Sequence, residues 1–171
     1  KSGKGYYPRW EFLNAYSGCM VGNPAVSVLT DAYQKGIQNY PVDKSIQYAI
    51  NTVRTFGNNE DGYDSGDLSK TLEYAYSDWC VGTLLRSQNR VQEADIYLKK
   101  SKAYRNVWCD SVKWFRARLS KEEWLPWKGK KVHWQGCIES NNYQQGWFVP
   151  QDIEGMIQLM GKKYFEEELI E

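Results

Sequence analysis

Apolar residues recur at helical spacing in several separate stretches of this chain, and nowhere do they sustain the strict alternation of a half-buried strand. In the first stretch, Ala25, Val28, Leu29, Ala32, Tyr33 and Ile37 fall on one face and Asp31, Gln34 and Lys35 on the other. Asn23 reads as its N-cap and Pro24 as its first helical residue, where the missing N–H removes no bond. That helix is expected to run to about Gln38. Asp43 is the expected cap of a second helix striped by Ile46, Ala49, Ile50 and Val53.

A third helix, from Leu68 or Ser69, carries Leu72, Ala75, Tyr76, Trp79, Val81, Leu84 and Leu85. Ser69 and Glu73 miss the capping-box spacing by one position. A fourth is expected from Val91 to about Val107, with Ala94, Tyr97, Leu98, Ser101 and Tyr104 inward. Pro150 opens a helix containing Ile153, Met156, Ile157, Leu159 and Met160, Gly161 stops it, and residues 163–170 add a turn or two. Helices separated by loops imply an all-α fold, an irregular array of antiparallel helix pairs. No segment repeats at fixed period. A chain of 171 residues accommodates one domain, spanning 1–171.

Charge and hydropathy exclude some partners. Lysine plus arginine number 22 against 21 acids, a net charge of +1, so no basic face is suggested for nucleic acid. No apolar run is long enough for a membrane span, and the first residues contain no signal-peptide core. Cys19, Cys80, Cys109 and Cys137 lack C-x-x-C spacing, so neither a zinc site nor a dithiol motif is visible. They read as buried small hydrophobes, and spacing does not choose a pairing among them.

Two long loops remain. Residues 57–67, GNNEDGYDSGD, hold four acids and three glycines without apolar periodicity. Oxygen ligands at alternating positions suit calcium, but EF-hand spacing and its terminal glutamate are missing, so the segment reads as a solvated loop. Residues 108–148 are too aromatic for disorder: Trp108, Trp114, Trp124, Trp127, Trp134 and Trp147 all fall there. Loops of such length in compact domains are commonly functional.

Sugars present hydroxyls around a ring and apolar C–H faces, so a sugar site needs flat aromatics beside amides or carboxylates. Trp134, Tyr143 and Trp147 with Gln135, Asn141, Asn142, Gln144 and Gln145 supply both, although the same residues also make ordinary core. Glu139, set among them without a neighbouring lysine, is the candidate acid: partial desolvation would raise its pKa and let it donate a proton. The competing reading is a solvated surface carboxylate. Asp152 reads as a favourable charge at a helix N-terminus. The one histidine, His133, sits beside lysines in KGKKVHW and reads as exposed. No G-x-S-x-G, P-loop or G-x-G-x-x-G occurs.

The blocks PRWE (8–11), GCMVGNPAVSVLTDAYQKGI (18–37), SKTLEYAYSDWC (69–80) and IESNNYQQGWFVPQDIEGMIQLMG (138–161) resemble, in order, those of glycoside hydrolase family 92. The resemblance implies an exo-acting, calcium-dependent α-mannosidase, many of whose members act on α-1,2-linked mannose, and part of an (α/α)6 toroid. It implies a mannose-containing glycan as partner and export from a bacterial cell. The last block resembles the family's T-E-G-N-A-W-Q-Y-x-W-F-V-P-H-D, whose glutamate is the catalytic acid, and the matching position is Glu139. Ser140, Asn142, Tyr143 and Gln151 replace the usual glycine, alanine, tryptophan and histidine. Asn23 stands where G-D-P has its aspartate.

Trp10, Glu11, Asn23, Asn141 and Gln144 are accordingly expected to shape the sugar pocket. Calcium is implied for the complete family enzyme, with no ligand identified in this chain. The family's N-E-P-D segment, which helps build the calcium and sugar site, and its G-N-D-D segment, which supplies the base, do not occur here. An inverting mechanism requires that second carboxylate, so the polypeptide alone is expected not to hydrolyse mannosides. Helix faces that missing helix pairs would cover are expected to promote self-association. The rival readings are a non-catalytic carbohydrate-binding remnant and a helical scaffold for protein partners.

Overall fold

The computed structural model describes residues 4–13 and 15–170. A two-residue antiparallel ladder, β1 (Glu11–Phe12) with β2 (Ala15–Tyr16), precedes helices α1 (Pro24–Gln34), α2 (Val42–Thr55), α3 (Leu68–Ser87) and α4 (Val91–Lys100). A 3₁₀ turn (Ala103–Val107) leads into a second small ladder, β3 (Trp108–Cys109) with β4 (Trp114–Phe115). Then come α5 (Asn142–Gly146), α6 (Ile153–Met160) and α7 (Lys162–Leu169). The architecture is mainly helical, as the apolar spacing implies.

Several boundaries differ from the expected ones, each for a local reason. Helix α1 stops at Gln34 because Gly36, at φ +78°, turns the chain: its N–H bonds the Tyr33 carbonyl and that of Ile37 the Ala32 carbonyl, closing a Schellman motif. Asn23 does not cap α1 with its side chain. Its Nδ2 donates instead to the Phe56 carbonyl at 2.9 Å, tying the head of α1 to the end of α2. Asp43 lies in the first turn of α2 rather than at its cap, which Pro41 occupies. The cap of α3 is Asp67, whose carboxylate accepts from the Lys70 N–H at 2.8 Å.

Helix α4 ends at Lys100, where the Ser101 hydroxyl bonds the Leu98 carbonyl and the chain tightens into the 3₁₀ turn. Pro150 is not a first helical residue. The Asp152 N–H bonds the Val149 carbonyl, making Pro150 the second residue of a turn, and Asp152 itself caps α6 by accepting from Gly155. Asp152 also pairs with Lys102 at 2.8 Å and accepts from the Tyr104 hydroxyl at 2.5 Å.

Two apolar clusters form, and α3 joins them. Its first turns give Leu68 and Leu72 to one, with Tyr104, Trp114, Phe115 and Met156. Its last turns give Val81, Leu84 and Leu85 to the other, with Val26, Ile50 and Tyr97. Each such fully buried side chain stabilises the fold by about 1.5–3 kcal/mol. Buried on most sides, α3 is the central helix, with α1, α2 and α4 packed against it. Tyr63 is only 3% exposed, so the 57–67 loop is anchored rather than freely solvated. Its acids face lysines: Asp61 pairs with Lys121 and Asp67 with Lys70. All four cysteines are free; Cys80, Cys109 and Cys137 are buried, whereas Cys19 is exposed, against expectation.

Candidate active site

Three segments converge on the first turns of α3. The 136–145 segment is held there by Ser69, which is fully buried. The Leu68 N–H donates to the Gly136 carbonyl at 2.6 Å, the Ile138 N–H to Ser69 Oγ at 2.9 Å, and Ser69 Oγ to Gln145 Oε1 at 2.9 Å. Gly22, beside Asn23, lies so close to Glu73 that a Cβ there would stand 2.7 Å from Glu73 Oε2. From the N-terminal segment, Arg9 bonds the Gly18 carbonyl at 2.8 Å and stacks near Tyr16 and Phe56.

Glu139 sits at the tip of the Ser69-held turn with φ +54°, a left-handed conformation that costs a side-chain-bearing residue about 1–2 kcal/mol. Strain of this kind collects at functional sites, where the surrounding structure enforces it. The expectation that rings and amides shield Glu139 from water is not met: the residue is exposed. Tyr143 and Trp147 instead turn inward, stacking or packing edgewise on the fully buried Trp114 with ring centroids 5.4 Å away in both cases.

Most of the amides brace the loop itself. Gln135 binds the Lys128 N–H and the Gly129 and Val132 carbonyls. Asn142 Nδ2 donates to the Phe115 carbonyl at 3.1 Å, and Asn141 caps α5 by accepting from the Gln144 N–H at 2.9 Å. Of the residues expected to contact sugar, Asn23 and Asn141 are therefore buried with side chains engaged, while Trp10, Glu11 and Gln144 are exposed. Trp134 is 71% exposed and free of the packed cluster. His133 is exposed, as read from its neighbours.

Glu73 was missed in the sequence. It projects from α3 toward the Gly22 turn, one helical turn beyond Ser69, and burial pushes its carboxyl up to about 7. Its signal was an acid flanked by apolar and aromatic residues in LEYAY. Among the described residues no three histidines, cysteines or carboxylates gather into a metal-binding group.

The profile of the Glycosyl hydrolase family 92 catalytic domain matches residues 1–171. The chain belongs to glycosyl hydrolase family 92. Among solved structures, this family 92 chain superimposes with TM-score 0.89 on the family GH92 alpha-mannosidase BT3965 from Bacteroides thetaiotaomicron, at 29% identity. That match covers 100% of this chain and 25% of the relative. A complex of the same enzyme with mannoimidazole matches with TM-score 0.85 at 27% identity, covering 99% of this chain and 25% of that one. The family GH92 inverting mannosidase BT2199 from the same organism matches with TM-score 0.81 at 27% identity, covering 92% of this chain and 24% of the other. The family 92 chain thus spans about a quarter of the length of these solved relatives. No curated protein matches it.

Proposed function

We propose that this chain is part of the catalytic domain of an inverting α-1,2-mannosidase, with Glu139 as its general acid. The observation carrying the reading is the Glu139 turn: the motif position of the family's acid is held in a left-handed conformation by a buried serine. Glu139 protonates the departing glycosidic oxygen as the bond to C1 breaks. A water attacks the opposite face of C1, and its proton passes to a base contributed from outside these 171 residues. Trp10, Glu11 and Gln144 are free to meet the sugar, whereas Asn23 and Asn141 shape the pocket through the backbone they hold.

The (α/α)6 toroid, a single domain over 1–171, a calcium requirement of the complete enzyme and export from the cell belong to the same proposal. Glu139 is exposed and the chain spans about a quarter of its solved relatives, which supports the expectation that the 171-residue polypeptide alone gives no turnover. In the complete enzyme, Glu139→Gln lowers kcat on α-1,2-mannobiose about a thousandfold, and proton NMR of the wild-type reaction shows the inverted anomer first. An unchanged kcat refutes the assignment of the acid. Calorimetry on a catalytically silent chain that still takes up mannose would mark a carbohydrate-binding module instead.

A further inference from the structure

Most tryptophans of the 108–148 segment are engaged in packing. Trp108, Trp114, Trp127 and Trp147 belong to the first apolar cluster, and Trp124 lies beneath the Arg118 guanidinium, whose carbon stands 4.8 Å from its ring centroid. Trp134 does neither. It is 71% exposed, outside the cluster.

Its backbone is nevertheless fixed. Trp134 has φ +64°, a left-handed conformation that a bulky residue adopts only where its surroundings impose it. Before it, His133 pairs with Asn141 as an antiparallel bridge, and the Trp134 N–H donates to the Ser140 carbonyl in a long bond of 3.5 Å. After it, Gln135 is buried with its amide bonded to the Gly129 and Val132 carbonyls. Gly136 is wedged so closely that a Cβ there would stand 2.4 Å from Ala117 Cβ. Trp134 and Glu139 therefore stand on opposite arms of one braced turn, both left-handed and both exposed, with Glu139 next to the residue that Trp134 bonds. An indole on a fixed backbone has few torsions to order, so little entropy is lost when a ligand covers it.

The chemistry of the acid indicates which part of a ligand that is. In the reading above, Glu139 protonates the glycosidic oxygen, and this oxygen departs with the leaving sugar. A residue paired across the acid's own turn adjoins that side of the breaking bond, and the C–H face of a pyranose suits a flat indole. We propose that Trp134 is the platform for the leaving-group sugar, stacking on its ring and setting a preference for a saccharide over a small leaving group. This inference rests on the assignment of Glu139 as the acid.

The test compares substrates in the complete enzyme: α-1,2-mannobiose, whose leaving group is a sugar, and α-mannosyl fluoride, whose fluoride offers no ring and needs no proton to leave. Trp134→Ala is expected to lower kcat/KM on mannobiose about tenfold, mainly through KM, and to leave the fluoride rate unchanged. The unchanged fluoride rate then shows that the variant folds and keeps its mannose site. Trp134→Phe, which retains a flat ring, restores most of the loss. Should Trp134→Ala not fold, Trp134→Asn, which tolerates a left-handed backbone better, gives the same comparison. An equal loss on both substrates in a folded variant, as a tryptophan buried by further chain would give, overturns the proposal, and so does no loss on either. Glu139→Gln run alongside separates the two readings: a mannobiose rate that it leaves unchanged sinks the acid, whereas a drop on mannobiose without the Trp134 split sinks only the platform.

Discussion

Glu73 and Asp78 are both carboxyls that the fold deprives of water, Glu73 without a cation and Asp78 with the Lys100 charge only partly offsetting its burial. Each is pushed up to about 7, from 4.5 and 3.8 respectively, with burial as the first cause. Between those pH limits the native chain holds protons that the unfolded chain has lost, so unfolding free energy falls as pH rises toward 7 and levels off above it. Urea unfolding across pH 4.5–8 is expected to show this decline. Glu73→Gln should flatten it by an amount on the order of 1–2 kcal/mol, after discounting for partial exposure, leaving the share due to Asp78. A wild-type stability that rises across that window contradicts the buried carboxyls. The thiols make a parallel case: burial pushes Cys80 and Cys137 up to about 11 and about 12. An alkylating reagent at pH 8 is therefore expected to label the exposed Cys19 first, the others only on unfolding, as peptide mass mapping will show.

At the scale of elements, α3 and α4 are tightly apposed at Gly82, where a Cβ would stand 2.8 Å from Leu98 Cδ2 and 3.2 Å from the Ala94 carbonyl. Gly82→Ala is expected to push the helices apart and cost about 1–3 kcal/mol despite its better helix propensity; a rise in thermal midpoint would show that Leu98 yields freely. Such helices were legible in the sequence because burying an apolar stripe is what forms them. Their ends were less so. Asn23 carried a cap's chemistry, but its amide is drawn to Phe56, 33 residues away, a contact no local pattern encodes. Pro150 looked like a helix start because the cap two residues on, Asp152, draws its partners from the 102–104 segment. The five-residue α5 is too short to show a period. Glu139 was legible as a motif and its solvent environment was not, since enclosure depends on what packs over the turn.

For the whole molecule, the question is whether two apolar clusters make one cooperative unit. Val28, Ile96 and Trp134 remain 68%, 56% and 71% exposed on outer surfaces, so concentration-dependent sedimentation is expected of the isolated chain. Inside, however, α3 is continuous from Leu68 to Ser87 and supplies buried residues to both clusters. A break between them would require fraying a helix whose middle is itself buried. The tryptophans that report unfolding most directly, Trp114 and Trp147, lie in the first cluster, while Leu84 lies in the second. Leu84→Ala removes core volume from the second cluster and should cost about 2–5 kcal/mol. If α3 couples the clusters, then in a Trp79→Phe background, which removes the tryptophan packed against the second cluster, the tryptophan fluorescence transition shifts to lower urea by the same amount as the helical ellipticity. If fluorescence stays at the midpoint of that background while ellipticity separates into two steps, the clusters fold independently and 1–171 is not a single domain.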